Sequence, residues 1–214
     1  MKSDKTLLVV GCGGHARFIL GLVSNSSFNA VGLIDLEDSF DDSDVIMGVS
    51  VVGCLSSISS QYQLGQRNVV LAIGDNWLRQ KTFFDLCKMG FEVPNLIHSS
   101  AIIDPTAVIG VGNVIGPNVV IGAEVNIGNN NIINSGAVVE HQSIIGNHNH
   151  LSVSAIICGN TTIGNCTFLG ANSVVIDKVT VSDDTILGAG GVLISSVNES
   201  GQTLVGCPAK VVKK

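Results

Sequence analysis

Aromatic and charged residues are scarce in this chain of 214 residues. Phe, Trp and Tyr make up 4% of it and Asp, Glu, Lys and Arg 13%, although 45% of the residues are hydrophobic. So few rings are typical of an interior too narrow to hold them. The net charge of −6 argues against a nucleic-acid groove, which needs a basic surface.

Long apolar runs and clustered cysteines are also missing. No apolar run reaches the roughly 20 residues that span a bilayer, and the first residues lack the apolar core and cleavage site of a signal peptide. The six Cys are scattered without pairs at metal-ligand spacing. We therefore expect a reduced, cytoplasmic protein with no membrane partner.

The main feature of the chain is a strict six-residue repeat from Ile103 to Asn198. Gly occupies the second position in eight of its rows, and the fifth position is mostly small or β-branched. This period is typical of a β-helix, in which each row is one short strand and a corner. The first position is aliphatic in all sixteen rows: Ile103, Ile109, Ile115, Ile121, Ile127, Ile133, Val139, Ile145, Leu151, Ile157, Ile163, Leu169, Val175, Val181, Leu187 and Leu193.

The repeat predicts the packing of the coils. Three rows close one triangular coil of about eighteen residues, so that each first-position residue stacks inside the prism on its copy one coil away. The fifth residue also faces inward, near a corner. We expect the Gly or polar residue in the second position to relieve crowding where the chain bends. A chance run of Ile-Gly pairs in a β-sandwich would not keep this register.

The residues before the repeat alternate between strands and helices. Strands are predicted at 7–10, 30–34 and 68–73, and helices at 16–24 and from the Asp75 cap to about residue 89. This order indicates a small parallel sheet of Rossmann type. We predict an α/β domain at residues 1–97 and an all-β domain of hexapeptide repeats at 98–214.

A glycine loop, Gly11–His15, follows the first strand. Ligands of such sheets bind at the carboxyl ends of the strands, here at this loop, at Asp35 and at Gly74. Backbone N–H groups at a helix start suit a pyrophosphate, and Asp35 is placed for a ribose hydroxyl. The loop lacks the last glycine of the dinucleotide fingerprint, and the domain has room for only half a dinucleotide fold. A tight turn without a ligand stays open.

Five His residues are the candidate reactive groups. His141, at a corner, and His150, in the sixth position of its row, should both face outward. Imidazole takes up a proton near neutral pH and is the commonest general base. Both could instead be plain surface residues, as we interpret His148. His148 and His150 could share a metal ion, with Cys158 following in the chain. No third ligand stands at a usual spacing, so no metal is predicted. No G-x-S-x-G context indicates a nucleophile.

These features resemble the NeuD/PglD-type sugar acyltransferases over nearly the whole chain. The glycine-histidine loop, the uninterrupted coils, the Glu140-His141 pair and the terminal Gly206-Cys207-Pro208-Ala209-Lys210 carry the resemblance. It implies a left-handed parallel β-helix, a homotrimer and acetyl-CoA as co-substrate. The implied reaction is N-acetylation of a nucleotide-linked 4-amino-4,6-dideoxy sugar for bacterial glycan synthesis of the bacillosamine type. UDP is the nucleotide that the resemblance favours.

The resemblance also implies residue roles. His141 matches the catalytic base in a stretch that begins at Asn134, and Glu140 precedes it. The family usually has Asp or Glu after this His to orient the ring; Gln142 takes that place without a charge, so the base should be weaker. The other matched positions are the substrate contacts Gly13, Gly14, His15, Asp35, Gly74 and Asn134, and the acetyl-CoA contacts His150, Gly159, Ala171, Ala189 and Lys210.

Two other functions stay open. The first is an O-acetyltransferase acting on a sialic-acid-type sugar. The second is a non-catalytic hexapeptide binding or scaffold protein, which Gln142 favours slightly.

Overall fold

The computed structural model describes residues 5–38 and 43–212. The chain packs as two compact units, Met1–Leu96 and Ile97–Lys214. The division predicted from the sequence falls one residue later. An α/β unit is followed by a left-handed parallel β-helix, so the predicted fold class is confirmed.

The first unit is built on a five-stranded sheet in the order β3-β4-β2-β1-β5. All neighbours are parallel except β3, which is antiparallel to β4. The hairpin of β3 and β4 and the helix α2 were not predicted. The elements are β1 (Lys5–Val10), α1 (Gly14–Ser24), β2 (Phe28–Asp35), β3 (Val45–Ile46), β4 (Val49–Cys54), a 3-10 helix (Leu55–Ser57), α2 (Ile58–Gln63), β5 (Val69–Leu71) and α3 (Asn76–Lys88).

Local chemistry sets the ends of these elements. Residues 7–10 of β1 are buried on both faces, as the central strand of a parallel sheet requires. Asp75 caps α3 by accepting the Leu78 N–H at 2.7 Å, as predicted. The helix ends before Gly90, whose φ of 92° suits the left-handed turn that follows a helix.

Three sheets form the walls of the β-helix, and their pairings are parallel except for the last two strands of the third sheet, which pair antiparallel. Within each sheet, successive strands come from successive coils, so Val120 pairs with Val138 and Ile127 pairs with Ile145. The first sheet contains β7 (Ile102–Ile103), β10 (Val120–Ile121), β13 (Val138–Val139), β16 (Ile156–Ile157), β19 (Val174–Val175) and β22 (Val192–Leu193). The second contains β8 (Val108–Ile109), β11 (Asn126–Ile127), β14 (Ile144–Ile145), β17 (Thr162–Ile163) and β20 (Thr180–Val181). The third contains β6 (Leu96–Ile97), β9 (Val114–Ile115), β12 (Ile132–Ile133), β15 (His150–Leu151), β18 (Phe168–Leu169), β21 (Ile186–Leu187), β23 (Thr203–Val205) and β24 (Lys210–Val211).

The first position of the repeat fills the prism. From Ile115 to Leu193 every such residue is at most 4% exposed, and the two earlier ones, Ile103 and Ile109, pack against the same core. The six-residue register read from the sequence is therefore confirmed.

A column of amides also lies inside the prism, before the strands of the third sheet. Asn113, Asn131 and Asn149 are fully buried in the fifth position. The Asn113 side-chain oxygen accepts the Asn131 N–H at 2.9 Å, and the Asn131 oxygen accepts the Asn149 N–H at 2.8 Å. Such bonds satisfy buried polar groups from coil to coil.

The corners of the β-helix turn at the fourth position of the repeat. The left-handed φ values fall on the fourth position, in residues such as Asn118 (φ 56°) and Asn160 (φ 56°). The second-position glycines allow close stacking of the coils: a Cβ on Gly128 would lie 2.7 Å from the Gly146 carbonyl oxygen. The expectation that these glycines relieve crowding is therefore confirmed, although the left-handed residues of the corners lie two positions further on.

Candidate active site

In the five-stranded sheet of the first unit, the carboxyl ends of the strands bring the glycine loop beside the ends of β2 and β5. The Gly11 N–H donates to the Ile34 carbonyl at 2.8 Å, and a Cβ on Gly11 would lie 2.8 Å from the Ala72 carbonyl oxygen. Gly13 and Gly14 have open space where a Cβ would stand. Because Gly13 has no side chain to cap α1, the first N–H groups of the helix can bind an anion.

Asp35 ends β2 at the same edge. Its Oδ1 accepts the Glu37 N–H at 2.9 Å. The Cys12 thiol also lies against this carboxylate: burial first, and then the Asp35 charge, raise the pKa of Cys12 to about 12. The thiol therefore stays protonated and donates to Asp35. Sequence reasoning did not identify Cys12 as a partner of Asp35.

His15 is held neutral in the first turn of α1. Its ring stacks on Phe18 at 5.2 Å. Burial first, and then the positive charge of Arg79, lower the pKa of His15 to about 4. Arg79 is itself 1% exposed and donates to the carbonyls of Ile73 at 3.1 Å and Gly74 at 3.3 Å. Sequence reasoning missed Arg79, since arginine is rarely buried.

His141 and Gly159 meet at the corner that follows the first sheet. His141 follows β13 and is exposed, and Gly159 takes the same place one coil later, after β16. A Cβ on Gly159 would lie 2.6 Å from His141 Cε1 and 2.7 Å from its Nε2. The His141 carbonyl accepts the Asn160 N–H at 2.9 Å. An accessible imidazole is therefore packed on bare backbone.

The side chain that follows His141 bonds to the preceding coil. The Gln142 side-chain nitrogen donates to Glu124 Oε2 at 3.1 Å, and the Gln142 backbone takes a φ of 58°. The orienting role of Gln142 toward His141 stays a prediction. Glu140 is exposed. Burial first, and then the charges of Asp177 and Glu140, raise the pKa of Cys158.

The two histidines of the next row are more buried than expected. His150 lies on β15, in the third sheet, where it is 9% exposed and meets the Phe168 ring edge-on at 5.1 Å. His148 is 4% exposed, and its Nδ1 lies 2.8 Å from the Asn130 side-chain nitrogen. The interpretation of His148 as a solvated corner is therefore wrong.

The remaining predicted contacts are spread over the β-helix. Asn134, Ala171 and Ala189 lie at the corner between the third and first sheets. Lys210, on β24, lines an open cavity of about 570 Å³ near the end of the chain, with Glu199 among its other walls. Ala171 and Ala189 thus lie at the corner before the strands of the first sheet, and His141 and Gly159 lie at the corner after them.

Within residues 5–38 and 43–212, no group of three or more His, Cys, Asp or Glu side chains could hold a metal ion. The helices of that part of the chain include none with the length and apolar character to cross a bilayer.

Known proteins match both units. Residues 6–86 match the PglD N-terminal domain family, and residues 97–201 match the GMPPB C-terminal domain family. PerB from Caulobacter crescentus, solved with CoA and GDP-perosamine, is 33% identical, with 97% of each chain covered and a TM-score of 0.91.

Two further structures are similar over nearly the whole chain. A histidine-to-alanine mutant of the Caulobacter crescentus GDP-perosamine N-acetyl transferase, with CoA and GDP-perosamine, is 32% identical, covers 98% of this chain and 97% of that one, and has a TM-score of 0.92. The acetyltransferase domain of PglB from Neisseria gonorrhoeae, with acetyl coenzyme A, is 27% identical, covers 98% and 100%, and has a TM-score of 0.88.

Fold and relatives together define an acetyl-CoA-dependent acyltransferase of the left-handed β-helix class. Within that class, the chain belongs to the PglD/NeuD-type sugar N-acetyltransferases.

Proposed function

We propose that this protein transfers an acetyl group from acetyl-CoA to the 4-amino group of a nucleotide-linked 4-amino-4,6-dideoxy sugar, with His141 as general base. The observation that carries the proposal is an exposed imidazole seated on Gly159 at a β-helix corner, in a chain of this family. The histidine-to-alanine mutant of the Caulobacter enzyme holds both CoA and GDP-perosamine, which supports a chemical rather than a binding role for that histidine.

The first unit is proposed to bind the nucleotide part of the acceptor. Gly13 and Gly14 leave the start of α1 open to a diphosphate, and Asp35 is a fixed acceptor for a ribose hydroxyl. His15 is neutral near pH 7, so it can serve as either hydrogen-bond donor or acceptor without adding charge. The sequence resemblance favours UDP, whereas PerB was solved with GDP-perosamine.

The proposed reaction is a direct attack on the thioester. The neutral amine adds to the acetyl carbonyl, and His141 accepts the proton that the nitrogen loses as the tetrahedral intermediate collapses. The C–S bond breaks, and coenzyme A leaves as a thiolate, which needs little acid assistance. The products are the amide and coenzyme A, and no acyl-enzyme forms.

Thiol release from acetyl-CoA tests this function against its alternatives. The acceptors are UDP-, GDP- and dTDP-linked 4-amino sugars and free sialic acid. We expect release with at least one nucleotide-linked amino sugar. Release with sialic acid alone would support the O-acetyltransferase, and no release with any acceptor would support the non-catalytic protein.

Asp35→Ala should raise KM for the nucleotide sugar by roughly 10- to 100-fold, the worth of a hydrogen bond to a charged group. KM for acetyl-CoA should stay nearly unchanged. Asp38→Ala is the matched control, since Asp38 is an exposed carboxylate of the same loop that accepts the Ser56 hydroxyl. A rise in KM for acetyl-CoA alone would exchange the two binding sites.

We also propose that the enzyme is a homotrimer. The outer face of the first sheet is an unbroken aliphatic ladder, with Ile102 67% and Ile156 37% exposed. Such a strip favours a covered surface, and a closed ring of copies would cover it. The ladder consists of Ile102, Val120, Val138, Ile156, Val174 and Val192.

The separation of the proposed base from a predicted acetyl-CoA contact supports the same assembly. In one chain His141 lies beside the first sheet and His150 lies on the third. A groove between two copies could bring His141 of one copy and His150 of the other to the same acetyl group. Within a single prism the two residues lie on different sides.

Light scattering at micromolar concentration should give three times the chain mass. A Val138→Asp and Ile156→Asp double variant should give a smaller species, because the carboxylates would be desolvated in the interface. Ile186→Asp, on the third sheet, where Ile186 is 43% exposed, is the control and should keep the parental mass. A monomeric parental protein would contradict the trimer.

A further inference from the structure

Gly159 leaves no room for a side chain beside the His141 ring. A methyl group on its Cα would stand 2.6 Å from Cε1, 2.7 Å from Nε2 and 3.2 Å from Nδ1 of His141. Carbon atoms in van der Waals contact are about 3.5–4.0 Å apart. The edge of the imidazole between its two nitrogens therefore packs directly on the bare backbone of the next coil.

The backbone does not require glycine at this position. The left-handed residue of this corner is Asn160, with a φ of 56°, and Gly159 has no such φ. Alanine would also keep the Gly159 N–H, the group that the family resemblance assigns to the thioester. What excludes a side chain at 159 is the ring of His141.

We propose that Gly159 is a positioning residue: its missing side chain forms the slot that sets the orientation of the His141 ring. The turn that carries His141 is also packed from the other side, where a Cβ on Gly122 would lie 2.9 Å from the His141 backbone nitrogen. The Gln142 amide reaches toward Glu124, in the preceding coil, whereas the ring lies against the following one. The catalytic consequence of the slot rests on the proposed function, but the slot itself does not.

The slot can be tested in the resting protein by NMR with histidine labelled with 13C at Cε1. Loss of one of the five signals in His141→Ala assigns the His141 resonance. Gly159→Ala should shift that resonance and leave the signals of the other four His in place. An unshifted His141 signal would overturn the proposal, whether or not any acceptor is acetylated.

Kinetics then test whether the slot matters for catalysis. Gly159→Ala should lower kcat by roughly 10²-fold, the effect of a misplacement of about 1 Å. KM for acetyl-CoA and the melting temperature should stay near parental, because the N–H remains and the exposed ring can swing aside. A rise in KM for acetyl-CoA with kcat unchanged would overturn the proposal, since the methyl group would then obstruct binding of acetyl-CoA.

The double variant supplies the matched control. In a His141→Ala background there is no ring to displace, so Gly159→Ala should cause no further loss of kcat. A further loss of similar size in that background would show that Gly159 acts without His141, and would overturn the positioning role.

Discussion

Replacing His141 by alanine is expected to lower kcat by roughly 10²–10⁴-fold, the usual contribution of a positioned general base. The attacking nitrogen must lose a proton, and His141 is the imidazole that stands accessible at the corner beside Gly159. Acetyl-CoA affinity should barely change, because the ring is not expected to hold the donor. Steady-state kinetics at saturating acceptor, with donor binding measured by calorimetry, separate the two effects.

His98→Ala is the control for that experiment. His98 is also a histidine of the β-helix unit, and its Nδ1 lies 2.8 Å from the Ser100 hydroxyl. It should retain parental kcat. If His141→Ala also keeps near-parental kcat with the true acceptor, the amine binds already neutral and the site acts by positioning alone.

Ile145→Asp should prevent folding or lower stability by several kcal/mol, which is the cost of burying an unpaired carboxylate. Ile145 is 1% exposed and pairs in register with Ile127 and Ile163, so the charge would enter the interior of the prism. Thermal and urea unfolding measure the loss, and the yield of folded protein reports the extreme case.

Ile144→Asp makes the same change one residue earlier. Ile144 is 50% exposed on the outer face of the same strand, so this variant should unfold close to the parental midpoint. If the two variants melt alike, the inward and outward faces of the strand have been exchanged and the six-residue register is wrong.

The β-helix could be predicted because its chemistry repeats. An aliphatic residue every sixth position leaves one arrangement in which all of them are buried, and the structure has that arrangement. The backbone conformation of the corners was harder to predict. Left-handed φ values at Glu124, Gln142 and Lys178 follow no residue preference, because the coil geometry imposes them. The buried Asn column was equally hard to predict, since its side chains are satisfied by backbone and side-chain groups of a neighbouring coil.

The first unit was predictable where patterns were local. Asp75 as a helix cap and the strands at 7–10 and 30–34 depend on neighbours in sequence. The strand β4 shows an alternation in residues 49–54 that could have been recognised, with Met47-Gly48 as the turn before it. The burial of Arg79 was missed because arginine is rarely buried, and no side-chain pattern marks its acceptors, the carbonyls of Ile73 and Gly74 just before the helix.

The candidate site divides in the same way. The sequence and its family resemblance identified His141, its corner and its exposed environment. The packing of its ring on Gly159, the partner of Gln142 and the burial of His148 all join residues one coil apart. Spacing alone predicts that such residues are neighbours, but not which of their atoms meet.

The most direct test of the proposed function is the product formed from 13C-acetyl-CoA and the preferred nucleotide-linked 4-amino sugar. The labelled carbonyl should appear in a single acetamido group bonded to nitrogen at carbon 4, with one coenzyme A thiol released per product. A labelled ester on a sugar hydroxyl, or thiol release that does not depend on the acceptor, would contradict N-acetylation by this protein.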